Sequence, residues 1–453
     1  MGSGFHIGLD VGTTNITMTV LDVEAGTQER FCSLPNPRIE TRESYAYAQD
    51  PIGIERSVRQ LLASFEGPVG SICVTGQVHG ILYHDREGNA LSPLYTWLDR
   101  RAMEKVEGID SQEHLFRKTG CQLMPGYGLL AHHANRRLGK VPAGATGFCG
   151  ILEHVTNRLA HTVIDATDPS CLGPFGAFDP VTSAFDQSVL QEVIGSQDPQ
   201  FLGASAPFAI AGTTSEDIPV TYPVGDNQAG FFGMVSDWER SVLVSMGTSG
   251  QISLFSRSAD CPDSMELRPF LGEGFLHVGA TLTAGKAYET LWRFIASVIQ
   301  EAGFPISEEK VFDLMKEQAI RHGSVGALTV DARFNGSRKD PVVRGGITNI
   351  GLDNLSLGNL VLATVEGIVR ELHDFSLDAP SLFDSVDRVI ATGSSVRKNR
   401  LFREALDRRF ARPVTVAQVD DGAGFGAALI GAVATGALRK EHASALVGTV
   451  LGT

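Results

Sequence analysis

One strand–turn–strand pattern occurs twice in this chain, and it restricts the fold more than any other feature. Phe5 to Leu9 is largely apolar, Asp10-Val11-Gly12-Thr13-Thr14-Asn15 follows, and Ile16, Met18 and Val20 then alternate with Thr17 and Thr19. The first stretch reads as a buried strand and the second as a half-buried one. Glycine permits a sharp turn between them, and successive amides with two hydroxyls form a concave anion site. Past the middle of the chain, Val242 to Met246, Gly247-Thr248-Ser249 and Gly250 to Leu254 repeat the pattern. Only the first copy carries an acid before the turn, because Ser245 stands where Asp10 would. A carboxylate cannot bind phosphate itself, but it can hold a magnesium ion that does. Either copy alone could be an ordinary hairpin with threonines on its turn. The duplication predicts two similar domains facing each other, each offering a hydroxyl-bearing loop to one polyphosphate.

The totals narrow the classes. A chain of 453 residues has room for two or three domains and a large core. A net charge of −14 argues against a nucleic-acid footprint, so phosphate must be held by local amides, hydroxyls and a metal. The cysteines at 32, 73, 121, 149, 171 and 261 form no CxxC pair, which predicts buried free thiols. The chain has no apolar run long enough to span a bilayer. Met1-Gly2-Ser3-Gly4 runs straight into the first strand, so no signal peptide and a cytoplasmic location are expected.

Along the chain, alternating strands and helices predict an α/β sheet. A helical face within Glu43 to Phe65 carries Ile54, Val58, Leu61, Leu62 and Phe65. Val69 to Thr75 then reads as a buried strand ending at Gly76-Gln77-Val78-His79-Gly80, with a further strand over 81–85. Ligands bind beyond strand ends in such sheets, which is where Gln77 to Gly80 would lie. A lone histidine is more often a core or capping residue, Trp97 more often a core anchor, and Asp99 with Arg100 could be a structural ion pair. Residues 110–210 yield helices over 129–138 and 147–161 but no contact assignments. His132 and His133 are helix neighbours that do not share a face, which argues against a metal pair. An extended segment enters Gly225-Asp226-Asn227-Gln228, where aspartate at a helix start is most often an N-cap. Helices are predicted over 287–299 and 360–375. Arg388 to Ala391 reads as a strand leading into Thr392-Gly393-Ser394-Ser395, a turn whose small residues let a nucleotide approach. The small-residue helix over 422–436 reads as tight packing.

Read together and in order, Gly8-Leu9-Asp10-Val11-Gly12-Thr13-Thr14, Thr75-Gly76-Gln77-Val78-His79-Gly80, Trp97-Leu98-Asp99-Arg100-Arg101, Gly225-Asp226-Asn227-Gln228, Gly247-Thr248-Ser249 and Ala391-Thr392-Gly393-Ser394-Ser395 carry a resemblance. They are similar to the motifs of the FGGY carbohydrate kinases, within the sugar kinase, actin and Hsp70 superfamily, over nearly the whole chain. The Gly-Gln-x-His-Gly form and the loop Phe334 to Pro341 look most like ketose kinases, especially sedoheptulokinases and xylulokinases. The resemblance implies an α/β fold of two ribonuclease-H-like domains with a cleft between them. Residues 1–237 would carry the sugar site, the first phosphate loop and the catalytic aspartate; residues 238–453 would carry the second phosphate loop and the adenosine site. It implies ATP and Mg2+ as cofactors and transfer to a primary hydroxyl of a ketose. Asp226 would accept the proton of that hydroxyl, with Asn227, Gln77, Val78, His79, Trp97 and Asp99 around the sugar. Thr13, Thr14, Asn15, Gly247, Thr248 and Ser249 would hold the phosphates, Gly285 would lie near the terminal ones, and Gly393, Ser394 and Asn399 would border the adenosine. Asp10 would direct the metal through water. No nucleic acid or membrane partner is implied; a homodimer is common among such relatives.

Two departures stand out. Relatives commonly carry Lys or Arg where this chain has Thr17, and a second glycine where it has Ser394. The missing cation keeps open a regulatory, catalytically weak relative. A nucleotide-dependent binding switch of the actin and Hsp70 type is the reading from another class. Such a switch would not need Gln77, His79 and Asp226 together.

Overall fold

Strand β1 (Phe5–Val11) is buried along most of its length, and β2 (Asn15–Asp22) returns antiparallel, setting Asp10 opposite Thr17. The computed structural model describes residues 4–194, 202–338, 340, 342–419 and 421–451. Strand β3 (Thr27–Pro35) continues the meander. Helix α1 (Pro51–Ala63) starts where Asp50 accepts the Ile52 amide and Pro51 presets the first turn; it buries Ile54, Val58 and Leu61. Strand β4 (Val69–Gly76) lies parallel to β1. A smaller sheet contains β5 (Gly80–His84), β6 (Leu94–Thr96) and, past helix α2 (Gly128–Arg137), β7 (Gly147–Cys149). Helix α3 (Ile151–Ala160), strands β8 (Ile210–Thr213) and β9 (Pro219–Thr221) and helix α4 (Asp226–Met234) follow. The main sheet has the order β8-β9-β4-β1-β2-β3.

A second sheet repeats the scheme. Strands β10 (Ser241–Met246) and β11 (Gly250–Ser256) form the hairpin, with β12 (Glu266–Phe270) and β13 (Gly274–Thr281) beyond it. After helices α5 (Gly285–Glu301), α6 (Glu308–His322) and α7 (Leu357–Asp378), strand β14 (Arg388–Thr392) lies parallel to β10. Helix α8 (Arg400–Phe410) leads to β15 (Val414–Val416), parallel to β14. The order is β12-β13-β11-β10-β14-β15. Each sheet therefore has a hairpin, an antiparallel third strand on one side and two parallel strands on the other, with β8 as an antiparallel edge of the first. That is the duplication expected from Gly12-Thr13-Thr14 and Gly247-Thr248-Ser249.

The chain ends in helices α9 (Gly422–Ala434) and α10 (Lys440–Leu451). It divides into two compact units: one holds the residues up to Ser236, Arg268–Gly274 and those from Gln418 onward, and the other holds Asp237–Leu267 and Phe275–Ala417. The sequence division places 418–453 with the C-terminal domain, whereas these residues pack within the first unit. The reason is steric. A Cβ at Gly8 would fall on the carbonyl oxygen of Gly424, and one at Gly426 on that of Ala229. Helix α9 thus lies backbone to backbone against β1 and α4, covering the face of β2 that its alternating pattern assigns to solvent. Thr19 is fully buried for this reason. No helix among the described residues is long and apolar enough to cross a membrane.

Replacing Gly426 with alanine is expected to cost about 1–3 kcal/mol, because the atoms met are backbone and cannot swing aside. Gly230, in the middle of α4 with open space around its Cα, is the control: alanine there is expected to be neutral or to stabilise by up to about 1 kcal/mol. Urea titrations of both variants, followed by fluorescence and circular dichroism, measure the difference.

Candidate functional site

In the first unit the turn between β1 and β2 is braced by side chains from four directions. Asn36 Nδ2 donates to the Gly12 carbonyl at 2.7 Å, and Gln49 Nε2 donates to the Thr13 carbonyl at 2.8 Å. Thr13 Oγ1 donates to Gln77 Oε1 at 3.2 Å and accepts from Trp97 Nε1 at 3.1 Å. Gln77 Nε2 completes the frame by donating to Gln49 Oε1 at 2.7 Å. Gln77 and Trp97, read as substrate residues, thereby hold the loop that carries Thr13. Trp97 leaves 43% of its surface open, so its ring still presents a face beside that loop.

Gly76 and Gly80 flank Gln77-Val78-His79, and both adopt φ values that L side chains avoid, 134° and 103°. His79 stacks on Tyr127 with ring centroids 5.3 Å apart. Val78 comes up against Gly225, where an added Cβ would lie 3.3 Å from Val78 Cγ1. The turn at Gly225 is held by Ser170 Oγ, which accepts the Gly225 amide at 2.9 Å; Asp168 in turn accepts the Ser170 amide at 2.9 Å. Val78 therefore stands beside the turn that leads into Asp226 and Asn227, with His79 as its chain neighbour. Asp226 is not the N-cap, a position held by Gly225; it is the first residue of α4, and its Oδ1 accepts the Asn227 amide at 2.7 Å.

Asp99 does not join this group. Its Oδ1 accepts from Arg101 N and Nε at 2.9 and 2.8 Å, and its Oδ2 from Tyr47 N and Arg101 Nη2 at 3.1 and 2.9 Å. With both oxygens occupied and both residues buried, Asp99 belongs to the scaffold, and its ion-pair partner is Arg101 rather than Arg100. His132 and His133 also serve the scaffold: His132 meets the Tyr83 hydroxyl at 2.8 Å and His133 meets His114 at 3.1 Å.

Three carboxylates interact in the first unit. Burial raises the pKa of Asp10 well above the ordinary carboxylate range, and the negative charges of Asp421 and Asp226 push it the same way. Asp226 is reached by solvent, yet enough protein surrounds it that desolvation raises its pKa, opposed by the positive charge of Arg268. Asp421 caps α9 by accepting the Gly424 amide at 2.9 Å, and its other oxygen accepts from Thr17 Oγ1 at 2.6 Å and Thr19 Oγ1 at 3.4 Å. Position 17, where the family resemblance leads one to expect a cation, thus faces Asp421; a lysine there would meet that carboxylate. Sequence reasoning missed Asp421 and Arg268 because each lies far along the chain from the residues it meets. Asp421 had one local signal, an aspartate just before a small-residue helix.

The second unit holds a cavity of about 990 Å³ at the ends of β10 and β14. Gly247, Thr248, Gly285, Ser394 and Asn399 border it, whereas Ser249 and Gly393 do not line it. Gly285 is required by close approach: an added Cβ would lie 2.6 Å from the Gly247 carbonyl oxygen. One wall is aromatic, with Trp292 stacked on Phe312 at 5.2 Å and Phe312 stacked on Tyr288 at 6.1 Å. These rings come from α5 and α6. Thr14 and Asn15 lie in the first unit, at the exposed tip of the β1–β2 turn. Arg338 pairs with Glu266, while Lys339 and Pro341 of the same loop lie outside the described residues.

Comparison with known proteins covers almost the whole chain. Residues 5–233 match the N-terminal domain of the FGGY family of carbohydrate kinases, and residues 242–435 match its C-terminal domain. Sedoheptulokinase of Homo sapiens is 25% identical, over 94% of this chain and 96% of that protein. Xylulose kinase of Staphylococcus xylosus is 23% identical, over 95% of this chain and 90% of that protein. The crystal structure of xylulose kinase from Rhodospirillum rubrum aligns with a TM-score of 0.82 at 20% identity, covering 97% of this chain and 92% of that one. The fold is the two-domain one of the sugar kinase, actin and Hsp70 superfamily.

Thr17→Val keeps the shape of position 17 and removes its donor to Asp421. A hydrogen bond to a charged acceptor is worth about 1.5–3 kcal/mol, and a drop in unfolding free energy of that size is expected. Thr17→Lys replaces the bond with an ion pair and should recover part of it. Equilibrium denaturation of the two variants beside the parent tests both signs.

Proposed function

The chain belongs to the FGGY family of carbohydrate kinases, and on that premise we propose that it transfers the terminal phosphoryl group of ATP to a primary hydroxyl of a ketose of the sedoheptulose or xylulose type. It is a sugar kinase by family; the donor, the sugar and the residue roles are our reading. The observation that carries it is the approach of Val78 to Gly225, the residue before Asp226, next to Gln77, which braces the loop of Thr13. A carboxylate of raised pKa that solvent can reach suits proton removal from an alcohol during phosphoryl transfer.

In this reading the sugar lies against Val78, His79 and the open face of Trp97, with Asn227 as a polar partner. Asp226 takes the proton of the attacking hydroxyl as the oxygen forms its bond to phosphorus. In the first unit Thr13 and Thr14 hold phosphate, Thr14 through its exposed hydroxyl; in the second, the cavity bordered by Thr248 and lined by Trp292 and Phe312 accepts the nucleotide. Asp10 fits a magnesium site, because a cation would relieve the repulsion it feels from Asp421 and Asp226. Among the described residues no three His, Cys, Asp or Glu side chains converge on a metal. That suits magnesium, which keeps most of its waters and takes one or two carboxylates plus substrate phosphates. When bound, the ion would neutralise phosphate charge. The cytoplasm is the expected compartment.

Asp226→Asn preserves size and hydrogen bonding but not proton acceptance. Sugar and nucleotide should bind within roughly tenfold of the parent, while turnover on the best sugar falls by about 10²–10⁴. A panel of ketoses and polyols in a coupled ADP assay identifies that sugar, and a folded Asp226→Asn protein with near-native turnover would overturn the assignment.

A second expectation concerns pH. Because the folded-state pKa of Asp10 is raised, its carboxyl favours the fold at low pH, and that contribution is lost as pH rises through the folded value. A cation competes with the proton, so magnesium should raise the melting temperature more at pH 8 than at pH 5.5. The increment should vanish in Asp10→Asn. An equal shift at both pH values, or one retained in Asp10→Asn, counts against the site.

A further inference from the structure

We infer that Arg268 is the positioning residue of the base, orienting the carboxylate of Asp226 towards the hydroxyl it deprotonates; this rests on the reading of Asp226 given above. Arg268 lies on β12, remote in sequence from α4. Its neighbours are nevertheless fastened to that helix. Gln228 Nε2 donates to the Pro269 carbonyl at 3.0 Å, and Phe270 meets Phe231 edge-on, with ring centroids 5.4 Å apart. Gln228 lies on the same turn of α4 as Asp226, and Phe231 lies on the next. Two successive residues of β12 are thus registered against the helix that begins with the base, and the residue before them is Arg268. Its positive charge acts on the Asp226 carboxylate.

The arrangement answers a geometric need. The helix start holds Asp226 through backbone amides alone, the Asn227 amide at 2.7 Å from Oδ1, and such local bonds do not by themselves set the rotation of the carboxylate plane. A nearby guanidinium, planar and permanently charged, restricts that rotation and keeps a lone pair directed at the substrate. It also offsets the charge of Asp226, which Asp10 feels as repulsion. Misplacement of a reacting group by an ångström costs about 10² in rate, so the effect belongs in kcat.

Arg268→Gln should lower kcat by about 10² while KM for ATP stays within about threefold. Arg268→Lys should recover part of the loss, and guanidinium ion added to Arg268→Ala should restore turnover saturably. A merely structural role would give a loss that neither lysine nor guanidinium repairs; with a native melting temperature, that result overturns the inference, as does Arg268→Gln turning over within threefold of the parent. Should the Arg268 variants fail to fold, Gln228→Leu, which releases Pro269, is the deciding variant: kcat must fall with KM for ATP unchanged, and an unaltered kcat overturns the inference. Asp226→Asn run in parallel separates the two ideas. If it stays active, the base assignment fails; if it is inactive while Arg268→Gln is native, only the role of Arg268 fails.

Discussion

The first unit depends on how closely helix α9 can approach β1 and α4. That approach is set by the absence of side chains at Gly8, Gly424 and Gly426, where backbone meets backbone. Much of the site's geometry follows from it. The helix start delivers Asp421 to Thr17 and Thr19, and so to the carboxylate pair of Asp10 and Asp226. It also packs closely against α4 at Ala229 and Gly233, which fixes where that helix lies and hence where Asp226 stands. A single methyl in this seam would displace the two elements that carry the acids.

Electrostatically the protein works against its own totals. A chain with a net charge of −14 gains nothing from its long-range field when it handles polyphosphate. The first loop is accordingly held by neutral groups: amides from Asn36, Gln49 and Gln77 and an indole from Trp97, all converging on Gly12 and Thr13. Neutral braces position the loop without adding charge of either sign beside the phosphates. Of the charged groups that do occur, Asp421 is compensated by hydroxyls and a helix N-terminus and Asp226 by Arg268, whereas Asp10 feels the repulsion of both.

Local pattern made much of this legible. The hairpins, the helix beginning at Pro51 and the strand ending at Gly76 follow from alternation, capping and proline placement, and the observed elements lie where those signals put them. The repeated Gly-Thr turn foretold two sheets of one topology because the turn chemistry and the strand period repeat together. What remained hidden depends on distance along the chain. Thr19 reads as solvent-facing by alternation, but α9 covers it. Asp99 reads as a sugar residue by motif, but Arg101 and the Tyr47 amide occupy it. Residues 147–161 read as one helix and instead contain β7 and α3, because Gly150 separates a buried strand from the helix start. No one-dimensional pattern carries the partner of a buried acid when that partner lies hundreds of residues away.

The discontinuity of the first unit has a consequence for biosynthesis. Its central strand, β1, leaves the ribosome long before α9, which seals that strand. Until then the nascent chain has the sheet but not its cover, with glycine-lined backbone and the apolar flank of β4 open to other chains. Domain-by-domain folding during translation is therefore closed to this unit, while the intervening second unit, continuous but for one short excursion, can complete itself in transit. Contacts spanning nearly the full sequence make the final closure slow, and the waiting intermediate is the species most exposed to aggregation and most in need of a chaperone. A ribosome that stops shortly before α9 would release a protein with nearly every site residue and no stable first unit to hold them.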